Sequence, residues 1–582
     1  MRLAVLAASV LLCVVAPPAQ GKRGPAVRPV DFTVDPAAQD PTNLIVKFVE
    51  GSGVRWRDGQ FVGVPGVNLA EVNALMLRHT TSVSRLFLRS EADLDRERAE
   101  VIAKLGPAVL AEIDPPADLN LYYRARTATA EHGMALWRAL LALPVVETAF
   151  LDTPPGYQAD PVVEVDDIPP TTPDYSGQQT YFDAPPSGIN LRVARVIPGG
   201  RGEQLQICDI ETGLILNHED VPLAIAANVI GPNPTPTDHG LAVAGEMVAD
   251  KNGYGVSGGV YRSRYKFHSH QSINWASSVN TAAANSQPGD IIVLEVQLPC
   301  PAGGNVCPME GRQDVFDAVR NATMAGKYVI AAAGNGSRDL DNPIYNNAFN
   351  RAVRDSGSII VGATDGANLV RASFSNYGSI VDANGWGQNV TTTGYGDLFY
   401  PQGDARQKYT RTFSGTSSAT PIVTSAAAAT LSAARQQLGR TISIAELRTL
   451  LRTHGTDVPN GSIGKRPDLA GIFAAIGLPN GLTVRTEANI GQTLDLDITG
   501  NPGESYLLAL AADPAEIDLP FGRLLLDPAT LTVAAAGTVN AQFSMQVPNN
   551  PGLLLLEVHW QALRFSGTSM RFTNSVVSYF ER

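Results

Sequence analysis

The sequence predicts an α/β protein built on a doubly wound parallel sheet, with a smaller α+β domain ahead of it and an antiparallel β-sandwich behind. Three observations carry that reading. Between residues 173 and 477, short and nearly continuous apolar runs (Leu205 to Ile210, Ile291 to Val296, Lys327 to Ala333, Ile359 to Gly362) alternate with helical patterns such as Asp314 to Ala325. Apolar strands of that kind are buried on both faces, as in a parallel sheet with helices on either side. Residues 43–153 alternate strand and helix in a more compact pattern, and beyond Leu478 helical periodicity stops.

The chain begins with Met1-Arg2 and an apolar run from Leu3 to Ala16, then Pro17-Pro18-Ala19-Gln20-Gly21. A bilayer needs about 20 apolar residues, so residues 1–21 read as a cleaved secretory signal rather than a span. Cys13 follows Leu12, where a lipid-anchor site needs a small residue, so no membrane anchor is expected. Residues 22–42 are Pro-rich and read as a mobile leader. In residues 43–153, Leu44 to Phe48, a run around Leu86, Leu121 to Ala125 and Val145 to Leu151 read as strands. Leu69 to His79, Asp93 to Leu110 and His132 to Leu143 read as helices. Residues 154–172 are acidic and Pro-rich, an exposed linker open to proteolysis. The parallel-sheet region spans 173–477. In 478–582, Thr493 to Ile498 alternates polar with apolar and Leu553 to Trp560 is more continuous, with polar turns between, which suggests a sandwich.

Composition narrows the function. The 582 residues carry 44 Lys+Arg against 56 Asp+Glu, a net charge of −12. Binding phosphate backbones needs a concentrated positive surface, so nucleic acid is excluded as a partner. Without Cys13, three cysteines remain. Cys300 and Cys307 bracket a Gly/Pro-rich loop and are expected to form a disulfide after export; Cys208 sits in an apolar strand as a small hydrophobe. No Cys-x-x-Cys or His-Glu-x-x-His motif points to a metal.

Four segments bear chemistry. Phe413-Ser-Gly-Thr-Ser-Ser-Ala-Thr-Pro421 sets Ser417 just before an Ala-rich helix predicted from Pro421 toward Leu438, where backbone N–H groups and the helix dipole can hold an oxyanion. Asp238-His239-Gly-Leu-Ala-Val-Ala-Gly245 puts His239 at a helix start. Val329-Ile-Ala-Ala-Ala-Gly-Asn335-Gly336 ends a buried strand in Asn335, at the sheet edge where ligands sit. Ile207-Cys-Asp209-Ile-Glu211-Thr-Gly213 ends another strand in two carboxylates.

In that order these blocks resemble the subtilisin-like serine peptidases (subtilases) over about 300 residues, roughly 173 to 477. The resemblance implies Ser417 as nucleophile, His239 as general base and then general acid, and Asn335 as oxyanion donor. The family's acid block reads Asp-Thr/Ser-Gly, whereas here Glu211 precedes Thr212-Gly213. His218, seven residues after Glu211, fixes the alignment and favours Glu211 as the orienting acid. Asp209 is the alternative: it shares the strand face about 6.6 Å away, and whichever acid does not hold His239 backs it and favours its charged form. Glu295 replaces the family's Ser on the strand that walls the substrate pocket. An acid there would select a basic substrate side chain or shift the working pH, unless the backbone bends and it pairs with an Arg. Ala333 and Gly334 are expected on the substrate side beside it.

Other signals have simpler readings. Gly255-Val-Ser-Gly-Gly259 lacks the strand–helix setting of a nucleophile elbow. His268-Ser-His270 and His218 read as structural. The chemistry requires no cofactor; Asp339, Asp341 and Asn342 are candidate ligands for a structural calcium, as in many subtilases, though an ordinary polar turn fits them better. The resemblance also makes residues 43–153 an inhibitory prodomain, with self-cleavage between Asp152 and Thr172. The expected function is thus a serine endopeptidase, made as a zymogen and secreted to the extracellular space or periplasm. Its partners are protein or peptide substrates and its own prodomain. The rival reading is a secreted binding or surface protein on an inactive subtilase scaffold.

Overall fold

The structure, a computed structural model, describes residues 23–28, 40–152, 169–221, 228–301, 306–485, 489–550, 553 and 556–580. The signal-like segment and most of the 154–172 linker lie outside these residues.

The N-terminal domain contains β1 (Asp40–Phe48), α1 (Ala70–His79), β2 (Thr80–Arg85), α2 (Glu91–Leu110), β3 (Tyr122–Thr127), α3 (Ala130–Leu141) and β4 (Val146–Asp152). Its antiparallel sheet has the order β2-β3-β1-β4. Successive side chains of β1 point to opposite faces, and both faces are buried from Asn43 to Phe48, which explains its apolar run at Leu44–Val46. Leu44, Val46 and Phe48 pack with Val72 and Met76 of α1 and with Leu136, Trp137 and Leu140 of α3. Ile45 faces the opposite way, into the core of the central domain. The strand expected around Leu86 ends at Arg85, and α2 is interrupted at Gly106 (φ 72), followed by Pro107. A short hairpin at 55–62 carries no signal beyond Asp58-Gly59 at its turn.

The central sheet has seven parallel strands: β5 (Gln206–Glu211), β6 (Val229–Ile230), β7 (Arg264–Ser269), β8 (Ile291–Leu294), β9 (Tyr328–Ala332), β10 (Ile359–Thr364) and β11 (Val381–Trp386). Their order is β11-β10-β9-β8-β5-β7-β6. The chain runs from β5 to the edge strand β6, comes back to β7 between the two, then crosses to β8 and builds outward on the other side. That reversal leaves a crevice at the C-terminal ends of β5 and β8. One sheet face is covered by α4 (Asp238–Val248) and α7 (Thr416–Leu438), the other by α5 (Trp275–Ala284) and α6 (Gln313–Met324). Helix α7 begins five residues before Pro421, where the sequence suggested its start. Pro421 lies inside the helix and has no N–H to offer the Ser417 carbonyl.

The C-terminal strands described form two larger antiparallel sheets and a two-stranded hairpin of Pro514–Leu519 with Gly522–Leu526. Leu482–Val484, Thr493–Ile498 and Ala541–Gln546 make one; Ser505–Ala511, Thr532–Thr538, Glu557–Ser566 and Ser569–Tyr579 make the other. Leu494, Leu496 and Ile498 of the first share a core with Leu508, Trp560 and Val576 of the second. The run predicted from Leu553 becomes a strand only at Glu557.

Both flanking domains are docked. The Leu86 carbonyl accepts from Asn274 Nδ2 (2.8 Å) and Ser277 Oγ (2.7 Å), and Asn321 exchanges two 3.0 Å hydrogen bonds with the Ala117 backbone. At the interface centre, Asp317 of α6 accepts from Tyr122 Oη (2.7 Å) and pairs with Lys47 Nζ (3.1 Å) and Arg23 Nε (2.9 Å). Arg23 belongs to the leader. Residues 23–28 therefore depart from the mobile leader suggested by composition: Val27 N donates to Gln313, the Val27 carbonyl accepts from Thr148, and Arg28 caps the carbonyls of Val146 and Glu147. The end of the linker is also held, with Thr172 buried against Glu219.

Candidate active site

Glu211 is the last residue of β5 and is 1% exposed. Its Oε1 lies 2.6 Å from His239 Nδ1, and its Oε2 accepts the Thr212 N–H at 2.8 Å, so both oxygens are engaged. The turn after Glu211 is tied to the helix that carries His239. Thr237, the N-cap of α4, accepts from Gly240 N (3.2 Å) and donates to the Gly213 carbonyl (2.9 Å). Gly240 permits that approach, because a Cβ there would lie 2.1 Å from the Gly213 oxygen. Burial opposes a charge on His239, but the Glu211 carboxylate outweighs it and raises the imidazole pKa above its ordinary value.

Asp209 is two residues earlier and fully buried, and Tyr265 Oη donates to its Oδ2 at 2.6 Å. Burial, then the neighbouring Glu211, pushes the Asp209 carboxyl well above the usual range. Tyr265 of β7 carried no sequence signal as a partner of this carboxyl.

Ser417 is the second residue of α7 and is 8% exposed. Helices α4 and α7 pack on one another, and the His239 ring meets Phe413 edge-on at 5.6 Å between centroids, just ahead of the turn into Ser417. Gly415, at φ 108, makes that turn. Asn335, just past β9, accepts at Oδ1 from Thr416 N (2.8 Å) and Thr416 Oγ1 (3.0 Å). Those bonds orient the amide, and a Cβ at Gly415 would stand 3.2 Å from Asn335 Nδ2, crowding the donor. The Asn335 N–H goes to Gln297 Oε1 at 2.7 Å.

Ala333 and Gly334 are buried. Asn376 takes both carbonyls, the first through Nδ2 (2.7 Å) and the second through its backbone N–H (3.0 Å). These two residues therefore shape the loop under Asn335 rather than present polar atoms to a substrate. Asn376, in Phe374-Ser-Asn-Tyr-Gly378, escaped sequence reasoning because nothing local marks a buried loop organiser. Glu295 is 5% exposed, and neither carboxyl oxygen has exposed surface. It points into the protein toward Asp209, Glu211 and Glu246, so it cannot form an ion pair with a substrate side chain in the cleft.

Cys300 and Cys307 are bonded and close the hairpin formed by 297–299 and 306–308; Cys208 is a buried free thiol. His218 donates and accepts within the backbone of its surroundings, and burial lowers its pKa to about 4. His268 bonds the Ile230 carbonyl, and His270 stacks on Trp275. Asp341 accepts from Ser379 N and Oγ, Asp339 accepts from Asp341 N, and Asn342 caps its own turn. With those oxygens engaged, the segment does not fit as a calcium cradle. Among the described residues no group of three or more metal-binding side chains converges, and no helix is long and apolar enough to cross a membrane.

A buried acid on a parallel strand, a histidine at one helix start and a serine at another, with an oriented Asn between, define the site of a serine hydrolase on an α/β scaffold. Comparison with known proteins gives the family. Residues 202–467, a little under half of the chain, match the model described as the subtilase family. An extracellular serine proteinase of Thermus sp. (strain Rt41A) is 32% identical over 225 residues, covering 38% of this chain and 48% of that protein. Subtilisin Savinase of Lederbergia lenta is 29% identical over 247 residues, 40% of this chain and 77% of that protein. The matched part of the chain thus spans about half the length of the Thermus relative. Among solved structures, an epidermin leader peptide processing serine protease from Staphylococcus aureus aligns at 15% identity, over 74% of this chain and 98% of its own, with a TM-score of 0.44.

Proposed function

We propose that the chain is a secreted serine endopeptidase that hydrolyses peptide bonds through an acyl-enzyme on Ser417 and is made as a self-processing zymogen. The observation that carries this reading is the 2.6 Å contact between Glu211 and His239 Nδ1. It fixes the ring and leaves Nε2 as the nitrogen for the Ser417 proton. Ser417 Oγ attacks the scissile carbonyl as its proton passes to His239 Nε2. The oxyanion forms beside Asn335 Nδ2 and the start of α7. The C–N bond then breaks as His239 returns the proton to the leaving amine. Water enters by the same route and releases the acid. Glu211 serves as the orienting acid and Asp209 as the neutral carboxyl behind it. Because His239 must start neutral, its raised pKa places the acid limb of activity above the ordinary imidazole value of about 6.5.

The N-terminal domain is read as the inhibitory prodomain because its sheet docks on α5 and α6 and its last strand, β4, leads into the segment that would be cut. Secretion is read from residues 1–21. The test is intact mass and N-terminal mapping of exported wild type beside Ser417→Ala. Wild type is expected to lose a segment ending between Asp152 and Thr172, and the variant to keep it. If both stay joined and wild type resists a fluorophosphonate probe, the scaffold is inactive.

A further inference from the structure

Behind the Glu211–His239 pair lies a group of carboxyls that hydrolysis as derived above does not use. Strands β5 and β8 run parallel with Val293 level with Asp209 and Leu294 level with Ile210. One residue further, Glu295 comes level with Glu211, on the same sheet face as Asp209. Neighbouring strands lie about 4.8 Å apart. From above, α4 adds Glu246, which follows His239 by seven residues and so shares its helix face. Glu246 is fully buried. Neither oxygen of Glu295, neither of Glu246 and not Oδ1 of Asp209 has a hydrogen bond within the protein.

The cationic side of this group is sparse. Strand β5 supplies Asp209 and Glu211, β7 supplies Tyr265, and α4 supplies His239 and Glu246. Strand β9 supplies Tyr328, whose hydroxyl donates to the Ile442 carbonyl, with Ile330 and Ala332 on this side, and α7 has no charged residue before Arg435. His239 is therefore the one group here able to carry a positive charge. Four ionised carboxylates cannot share a dry pocket with a single imidazole.

We propose, on the peptidase reading above, that Glu295 is a positioning residue that works as an uncharged carboxylic acid, filling the space beside Glu211 while neutral and closing the site at alkaline pH when it ionises. Ionised, it sets a second negative charge level with Glu211. That charge holds the proton on His239 and removes the base that Ser417 needs. Burial first, and then the neighbouring acids, hold its proton in place. Its ionisation is thereby displaced to the alkaline side of the ordinary glutamate value, where a rate profile can look for it.

The test compares wild type, Glu295→Gln and Glu295→Asp on one peptide substrate from about pH 6 to 10. Gln copies the neutral acid but cannot ionise. The ratio of kcat/KM at pH 9.5 to that at pH 7 is expected to rise about threefold to tenfold in Glu295→Gln, and Glu295→Asp is expected to retain the alkaline limb. Superimposed wild-type and Gln profiles overturn the proposal. If Glu295→Gln does not fold, Glu295→Ser takes its place with the same expectation. Fluorophosphonate labelling of wild type at pH 7 separates the two readings. An unlabelled enzyme sinks the peptidase reading, and Glu295 is then read from Tm against pH. The unfolded chain loses this proton above about pH 4.3 and the folded chain keeps it, so wild-type stability must fall as pH rises. A wild-type slope no steeper than that of Glu295→Gln refutes the buried neutral acid itself.

Discussion

Two buried carboxylates, Asp317 under the N-terminal domain and Glu295 behind the active site, start from the same penalty and end in opposite states. Burial by itself pushes both upward. At Asp317, Arg23, Lys47 and the Tyr122 hydroxyl overrule it and hold the carboxyl well below the usual range. At Glu295 the neighbours are Asp209, Glu211 and Glu246, and they push the same way as burial. Depth therefore does not decide the charge of a buried acid; the chemistry facing it does. Stability must depend on pH in opposite senses at the two places. The Asp317 contribution is complete above the unfolded carboxylate pKa of about 4 and is lost as pH falls further. The Glu295 side loses stability as pH rises.

The contrast can be broken most readily at Asp317. Asp317→Ala removes the fully buried anion and leaves Arg23 and Lys47 to the less buried Glu147 and Glu50, and should cost about 3 kcal/mol in denaturant unfolding of the full chain near pH 7. A loss under about 1 kcal/mol there would mean that the cations are solvated in place and the two clusters do not differ in kind. Glu246→Gln should act in the other direction. It removes a buried acid that has no partner, so unfolding at pH 8 should show a gain of about 1–2 kcal/mol that disappears near pH 5. A gain that persists at pH 5 would point to packing instead of charge. Smallest is Tyr265→Phe, which strips Asp209 of the hydrogen bond it has among the described residues and should cost about 1 kcal/mol. A near-unchanged stability of Asp209→Asn, which keeps the oxygen that Tyr265 bonds and copies an uncharged acid, would sharpen the view that Asp209 is neutral.

Much of this arrangement is legible in the sequence, for physical reasons. Continuous apolar runs mark β5, β8, β9 and β10 because a strand covered on both faces has no solvent side to make polar. Sharp turns and close approaches leave glycines at 213, 240 and 415, so the blocks around Glu211, His239 and Ser417 stand out. Strand β7 does not, since Arg264-Tyr-Lys-Phe-His-Ser269 lies near the sheet edge and alternates. The start of α7 is hidden by Pro421, which reads as a first-turn residue yet lies within the helix. Orientation is also hidden: sequence alignment puts Glu295 on the pocket strand, but only the register with β5 shows that it turns inward. Asn376 and Tyr265 act across loops and strands, where no spacing rule reaches.

The leader segment 23–28 has a further consequence. Arg23 and Val27 lie between the N-terminal and central domains and touch both, while the chain joining those domains runs through residues 153–168. A cut in that stretch severs one covalent link and none of the side-chain contacts at Asp317, Asn321 or Leu86. Scission and separation are thus distinct events in this molecule. After the first, the two fragments remain a noncovalent complex whose lifetime is set by the interface, with the leader acting as a wedge that leaves together with the N-terminal domain.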